Sequence, residues 1–231
     1  MKNLYIQILF CITLLPCCVK YDALPFEGKT LPRKTAYGND WLYYNLASDT
    51  YLNPTSSSDT LVDIGATLIE GEQKDRVDWD IAFNRYNIRT NSGLSGHGNA
   101  GAFDMGKIPY ESIMKVNQIP TDAQFTEDTE YQITMSEQMW NTYFYKQNNE
   151  PWFDPNEGPK QMKSTANALL GNALRFKGPP PAYITSNHVY IVRSADGKEY
   201  YKLMIISWYS QYKKIGERGG LISFKCDKLS Y

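Results

Sequence analysis

Histidine and cysteine are scarce in this chain of 231 residues, which has two histidines and four cysteines. Cys11, Cys17 and Cys18 all lie near the N-terminus, so Cys226 is alone in the rest of the sequence. The mature domain therefore has no pair of cysteines for an internal disulfide, and its stability must come from its size. Metal sites built from clustered histidine, cysteine and carboxylate ligands have no support in this composition either.

Markers of catalysis are missing as well. The sequence has no Gly-x-Ser-x-Gly elbow, and nothing in it marks a serine, a histidine and an aspartate as a triad. Asp78 and Asp80 share one face of a predicted strand, whereas a glycosidase needs two carboxylates across a cleft. We interpret both as solvated edge charges, or as partners for Arg85 and Arg89. The chain is therefore predicted not to be an enzyme.

An excess of charge of one sign is also absent. The net charge is −1 and the basic residues are scattered, so nothing indicates a groove for nucleic acid. The N-terminal apolar run, Leu4 to Leu15, follows Lys2 and is too short to span a bilayer. These features are typical of a signal peptide that is removed from the mature protein.

The signal peptide ends at Leu15-Pro16-Cys17-Cys18, which resembles a loose lipobox. Cys18 is the predicted site of lipidation; Cys17 is the alternative, and an ordinary secretory signal with incidental cysteines is a further one. We expect a lipoprotein signal peptide over residues 1–17, a tether over 18–36, and one binding domain over 37–231.

Short alternating segments separated by turns dominate the rest of the chain and predict an all-β antiparallel domain with little helix. The turn at Asp196-Gly197 predicts a hairpin, because glycine accepts a positive φ. Gln161 to Leu170 is interpreted as a short helix that ends at Gly171. Predicted strands include residues 41–46, 102–105, 131–135, 173–176, 188–193, 200–208 and 221–226.

The most distinctive stretch runs from Asp78 to Gly101. Trp79, Ile81 and Phe83 have the period of a half-buried strand, and the alternation breaks near Arg85, which predicts a bulge or bend. A glycine-rich loop follows, and we expect its backbone to shape a structured turn between two strands of a sheet. Its spacing is not that of a P-loop. The glycines of this loop are Gly93, Gly96, Gly98 and Gly101.

Several motifs in this stretch resemble the signature of the HmuY family, a family of haem-binding surface lipoproteins of Gram-negative bacteria. They are Asp78-Trp79-Asp80-Ile81-Ala82-Phe83, Arg85-Tyr86, Arg89, Asn91 and Ser92-Gly93-Leu94-Ser95-Gly96-His97-Gly98. The loop Ile119-Pro120-Thr121-Asp122 and the segment Val192 to Gly197 are similar to the family as well. The resemblance implies an all-β, hand-like fold in which loops clamp the ligand.

The resemblance also indicates where haem ligands should lie. The family places its axial ligands in a region that contains no histidine here, Ile133 to Pro181, and some members use methionines in place of histidines. Thioether sulfur is an accepted haem ligand. We therefore predict that Met162 and one of Met135 or Met139 hold the iron, the alternative being that these methionines fill gaps in the core.

The other residues that bear on the haem site are aromatic side chains and the two histidines. We interpret His97 as a surface histidine and His188 as a structural one. The residues expected to wall a haem slot, or simply to belong to the core, are Trp140, Tyr143, Phe144, Trp152 and Phe153.

The first functional hypothesis is an outer-membrane lipoprotein on the cell surface, with a released form as a further expectation. It would capture haem b and pass it to a TonB-dependent outer-membrane receptor without covalent chemistry. The resemblance implies haem and that receptor as partners. A lipid-anchored binding module for a glycan or another tetrapyrrole is the second hypothesis. The third is an adhesion or interaction protein with no small ligand.

Overall fold

Two packed antiparallel sheets and a set of small hairpins make up the computed structural model. It describes residues 28–31, 41–52, 71–134, 153–159, 161–177, 183–209 and 220–231. Its strands are β1 (Lys29–Thr30), β2 (Leu42–Asn45), β3 (Thr50–Tyr51), β4 (Ile81–Asn84), β5 (Asn87–Thr90), β6 (Gly101–Asp104), β7 (Thr129–Thr134), β8 (Phe153–Asp154), β9 (Gly158–Pro159), β10 (Gln161–Ala166), β11 (Leu174–Phe176), β12 (Tyr183–Thr185), β13 (Tyr190–Arg193), β14 (Tyr200–Ser207) and β15 (Ser223–Lys228). Its helices are α1 (Ala168–Gly171) and three 3-10 helices, Glu72–Asp75, Tyr110–Ser112 and Val116–Gln118.

The all-β prediction is confirmed by the way these strands pair. One sheet has the strand order β1-β15-β14-β13-β6 and the other has the order β3-β2-β4-β5, while β7 with β10, β11 with β12 and β8 with β9 form two-stranded sheets. Every pair of strands is antiparallel. Short turns join consecutive partners such as β4 and β5 or β13 and β14, as antiparallel pairing allows, whereas β1 pairs with β15 and β6 with β13 across long stretches of sequence.

The main core lies between the two larger sheets. Tyr44 and Phe83 of the four-stranded sheet meet Phe224 of the five-stranded sheet, and the rings of Phe83 and Phe224 stack at 5.4 Å. Side chains alternate across a strand, so the opposite faces of both sheets carry separate apolar clusters. Trp41, Tyr43, Trp79 and Ala82 form the cluster outside the smaller sheet, together with Ala166.

The strand predicted to be half-buried is buried on both faces. Every residue of β4 is inaccessible, including Ala82, whose face is covered by the second cluster, and Asn84. The predicted bulge or bend near Arg85 is wrong, because β4 and β5 form a hairpin in which Asn84 pairs with Asn87. Arg85 and Tyr86 make the two-residue turn, and the change in phase of the apolar pattern is this reversal of the chain.

The predicted helix over Gln161 to Leu170 is also wrong in its first part. Gln161–Ala166 is strand β10, which pairs with β7 along its whole length. Only Ala168–Gly171 is helical, and the side chain of Asn167 accepts a hydrogen bond from the Leu170 N–H as its N-cap. Gln, Met, Lys and Ala favour helices, but pairing with a neighbouring strand overrides that local preference.

Residues 28–31, which the sequence assigned to the tether, belong to the folded domain. Lys29 and Thr30 pair with Phe224 and Ser223 of β15, and Leu31 is buried in the main core. The rest of the predicted tether that precedes residue 28, with Cys18, lies outside the described residues. Among the described residues no helix is long and apolar enough to cross a membrane.

Candidate ligand-binding site

The hairpin of β7 and β10 carries the described part of the region in which haem ligands were predicted. Met162 is paired with Ile133, and the last pair in the register joins Gln161 to Thr134. The strand β7 therefore ends one residue before Met135, in register with the start of β10. The side chain of Met162, the whole of Met135 and Met139, and the predicted wall residues Trp140, Tyr143, Phe144 and Trp152 lie outside the described part of the chain.

Beside this hairpin lies a group of aromatic side chains that we call the aromatic cluster. The rings of Tyr86 and Tyr183 stack with their centroids 5.5 Å apart and an interplanar angle of 24°. Tyr183 also contacts Trp208 at 4.7 Å and Phe176 at 5.5 Å. Tyr131 joins the cluster from β7, close enough to Tyr86 and Tyr183 for both to raise its pKa. Four separate elements thus bring these rings together next to β7.

The aromatic cluster is buried on one side and exposed to solvent on the other. Trp208 is buried, Tyr86, Tyr131 and Tyr183 are half-buried, and Phe176 is 60% exposed. Burial, followed by the influence of Tyr86, raises the pKa of Tyr131 to about 12, so this phenol is neutral near pH 7. An exposed phenylalanine above stacked, partly buried rings is a surface on which a flat apolar ligand can lie.

Arg85 supplies a positive charge to the aromatic cluster. It lies in the turn between β4 and β5, next to Tyr86, and has a φ of 54°, a region that residues other than glycine rarely adopt. Its charge favours the ionised forms of Tyr131 and Tyr183, although burial outweighs this effect and their pKa values stay raised. The site therefore combines apolar rings with the positive charge of Arg85.

Both histidines are engaged with carboxylates. His188 Nδ1 lies 2.8 Å from a carboxylate oxygen of Asp104, and His97 Nδ1 lies 2.9 Å from that of Asp75. The side chain of His97 is 67% exposed, which agrees with its interpretation as a surface histidine. His188 packs near Tyr190 in a structural setting. Among the described residues no group of three metal-ligating side chains occurs.

The two acidic residues of the distinctive segment have different environments. Asp78 is exposed and pairs with Arg76, not with Arg85 or Arg89. Asp80 is 4% exposed and accepts hydrogen bonds from the backbone N–H groups of Leu46 at 2.7 Å and Ala195 at 2.8 Å. Its interpretation as a solvated edge charge is wrong, because it links the β2–β3 turn to the β13–β14 hairpin.

Arg89 is buried completely. Its guanidinium lies 3.9 Å from the ring centroid of Trp41 and donates to Tyr43 Oη and to the carbonyl of Thr165 on β10. A bidentate, planar cation can stack and donate at once, which a lysine cannot do. Arg89 therefore fixes the β7–β10 hairpin to the outer face of the four-stranded sheet.

The glycine-rich loop crosses from β5 of one sheet to β6 of the other, which corrects the expectation that both its strands share a sheet. Asn91 lies at its centre: its side chain donates to the carbonyls of Arg76 and Trp79 and accepts from the Gly98 N–H. A Cβ on Gly96 would overlap the amide of Asn91. The backbone shapes this loop, as predicted.

A comparison with known protein families gives one match that covers most of the chain. The family model of the HmuY protein matches residues 38–226. The chain belongs to the HmuY family. Among curated protein sequences, none matches it.

Solved structures of similar fold have low sequence identity to this HmuY-family chain. An apo HmuY analogue from Tannerella forsythia has a TM-score of 0.55 at 19% identity, covering 89% of this chain and 96% of the other. A Bacteroides vulgatus protein named as HmuY-like and haem-binding has a TM-score of 0.50 at 19% identity, covering 80% and 82%. A Bacteroides fragilis protein named as a lipoprotein has a TM-score of 0.50 at 19% identity, covering 80% and 81%. These likenesses establish the fold.

The residues that carry the HmuY resemblance have structural roles. Asp80, Arg89 and Asn91 bind backbone or neighbouring side chains inside the protein, and the glycines leave space for Asn91. The aromatic cluster was missed by sequence reasoning, since its members lie on five elements separated by up to 122 residues, from Tyr86 to Trp208. Phe153, expected to wall a haem slot or to belong to the core, is 50% exposed on the small β8–β9 hairpin.

Proposed function

We propose that this chain is a haem-binding surface lipoprotein that takes up haem b and passes it to a TonB-dependent outer-membrane receptor. The observation that carries the proposal is membership of the HmuY family over residues 38–226. A relative of the same fold, from Bacteroides vulgatus, is named as haem-binding. The aromatic cluster, with Phe176 exposed, supports the proposal, because a haem site combines iron ligands with apolar side chains.

The iron ligands in this proposal are Met162 and one of Met135 or Met139. Haem iron supplies two axial positions, and thioether sulfur fills such positions in other haem proteins. The register of β7 with β10 is compatible with the pair Met135 and Met162, because the strand preceding Met135 ends opposite the strand that carries Met162. The two histidines are the other candidate ligands, and both have a carboxylate partner at Nδ1.

The membrane anchor in this proposal is a lipid on Cys18, which would hold the protein at the outer membrane and expose it at the cell surface. Two observations support it: the short apolar run that ends at Cys18, and a relative of the same fold that is named as a lipoprotein. Binding haem and releasing it to a receptor requires no bond to a substrate to be made or broken, so no catalytic group is assigned.

A titration of the protein with hemin, followed by absorption before and after reduction with dithionite, tests the proposal. We expect a saturable change with one haem per chain and sharper low-spin bands in the reduced state, because soft sulfur ligands prefer ferrous iron. Spectra equal to those of hemin mixed with an unrelated β protein would remove the haem proposal. A glycan or another tetrapyrrole, which stacked rings also suit, or an adhesion role would then replace it.

A further inference from the structure

We propose that the aromatic cluster is the wall against which the porphyrin ring lies, with Phe176 contacting its face and Arg85 binding a propionate. This inference rests on the proposed function, since it names residues that the haem-binding proposal leaves open. It assigns recognition of the macrocycle to described residues, separately from ligation of the iron.

Phe176 is unusually exposed for a phenylalanine on a strand. A phenylalanine of the core is normally buried, and Phe83 and Phe224 are both fully buried here. Phe176 is instead 60% exposed, although it lies on a strand and contacts the half-buried ring of Tyr183. The strand pairing sets Phe176 directly opposite Tyr183, so the two rings share one face of the β11–β12 sheet. That face offers apolar area with no described residue covering Phe176 fully.

Stacked rings support Phe176 from below. Tyr86 and Tyr183 stack within 24° of parallel, Trp208 lies 4.7 Å from Tyr183, and the ring of Phe176 is inclined by 53° to that of Tyr183. Aromatic side chains that are packed in this way can contact a flat conjugated ligand by their faces or their edges. A porphyrin is the flat conjugated ligand that the proposed function supplies.

Arg85 complements the charge of a porphyrin. A porphyrin of haem b carries two propionates at one edge, and a guanidinium binds a carboxylate through two parallel hydrogen bonds. Arg85 precedes Tyr86 of the aromatic cluster in the turn between β4 and β5, and its charge acts on Tyr131 and Tyr183.

The aromatic cluster is also close to the strands that lead to the proposed iron ligands. Tyr131 belongs to β7, three residues before the end of the strand that leads to Met135, and it interacts electrostatically with Tyr86 and Tyr183 of the cluster. The strand β10, which carries Met162, pairs with β7 along its length. A ligand on the aromatic cluster is therefore next to the hairpin that flanks the methionine region.

Metal-free protoporphyrin IX is the probe that distinguishes contacts with the porphyrin ring from ligation of the iron. It has the same ring and propionates as haem b but offers no iron to a thioether, so the aromatic cluster and Arg85 are its determinants. We expect the full mature chain to bind it saturably, with quenching of tryptophan fluorescence. We expect Phe176→Ala to weaken this binding by about three- to ten-fold, through lost stacking area.

The dimethyl ester of protoporphyrin IX tests the role of Arg85. Arg85→Gln should weaken binding of the free acid by about three- to five-fold, the range of a solvent-accessible ion pair, and should leave binding of the ester unchanged. Arg85→Lys should retain part of the preference for the free acid. The matched controls are Leu94→Ala, an exposed leucine of the glycine-rich loop, and Lys107→Gln, an exposed lysine, neither of which should change binding.

The outcomes distinguish this inference from the proposed function. Urea midpoints of Phe176→Ala and Arg85→Gln equal to the wild type would show that both variants fold. If hemin binds but neither substitution changes the affinity for either porphyrin, the wall lies elsewhere and haem binding stands. If Arg85→Gln weakens the ester as much as the acid, the propionate contact is wrong. If the wild type binds neither hemin nor protoporphyrin, the proposed haem-binding function itself is wrong.

Discussion

Thr90 holds the carboxylate of Asp128 through its backbone N–H at 2.9 Å and its hydroxyl at 2.6 Å. Asn167 adds a third donor at 3.1 Å, and Asp128 is 2% exposed. Burial raises the pKa of Asp128 to about 6, because desolvation outweighs these hydrogen bonds. This buried carboxylate joins β5, the start of β7 and the cap of α1 at the base of the β7–β10 hairpin.

We expect the free energy of unfolding to depend on pH through the titration of Asp128. Its pKa in the folded state exceeds the ordinary value of 3.8, so the native state binds more protons between about pH 4 and pH 6. The contribution of this group to the free energy of unfolding therefore falls as pH rises through that window, by about 3 kcal/mol. The Asp128→Asn variant has no such titration. Urea unfolding at pH 4, 5, 6 and 7 should show a wild-type advantage that shrinks as pH rises, and a constant difference would contradict the assignment.

The glycine-rich loop gives a second prediction. Gly96→Ala should destabilise the domain by about 1–3 kcal/mol, because its Cβ would overlap the fixed amide of Asn91 and lie 3.1 Å from the ring of Trp79. Gly171→Ala is the matched control, since a Cβ there meets nothing within 4 Å and the residue is helical. The control should be neutral or slightly stabilising. Equal urea midpoints for both variants would contradict the prediction, because they would show that the loop accommodates a Cβ beside Asn91 without a loss of stability.

The proposed iron ligands give a third prediction. Met162→Ala should remove most of the reduced low-spin haem spectrum, and so should one, but not both, of Met135→Ala and Met139→Ala. His97→Ala should leave the spectrum intact, because that residue lies in the glycine-rich loop, outside the region Ile133 to Pro181 in which the family resemblance places the ligands. Loss of the spectrum in His97→Ala together with its retention in the methionine variants would move the ligand to histidine.

Lipidation of Cys18 is the fourth prediction. Labelled fatty acid should enter the wild-type protein in cells and should not enter Cys18→Ala. Cys17→Ala is the control and should be labelled normally. Labelling of Cys18→Ala but not of Cys17→Ala would place the lipid on Cys17, and absence of label from the wild type would favour an ordinary secretory signal.

The strands near the C-terminus could be predicted from the sequence because local signals agree there. Residues 188–193 and 200–208 alternate or run apolar, and Gly197 has the positive φ of 77° that the turn at Asp196-Gly197 predicts. The hairpin at Arg85 could not be predicted, since neither Arg85 nor Tyr86 is a turn-forming residue. Its turn is imposed by the pairing of β4 with β5 within a buried sheet.

The candidate site was harder to predict than the fold. Buried charges such as Asp80 and Arg89 follow no periodic pattern, because their cost is offset by partners far away in sequence. The aromatic cluster is likewise assembled from β11, β12, the end of β14 and a turn, so each member alone looks like an ordinary strand residue. The family resemblance identified the segment that braces the fold, whereas the rings beside β7 emerge only from tertiary contacts.

The pairing of β1 with β15 limits how far the domain can move from an anchor at Cys18. Only nine residues, 19–27, separate that cysteine from the arm that begins at Gly28. Even fully extended, this stretch spans about 34 Å. A lipid on Cys18, as proposed above, would therefore keep β1 within about that distance of the bilayer, and the proposed receptor would have to meet a protein that stays close to the membrane surface.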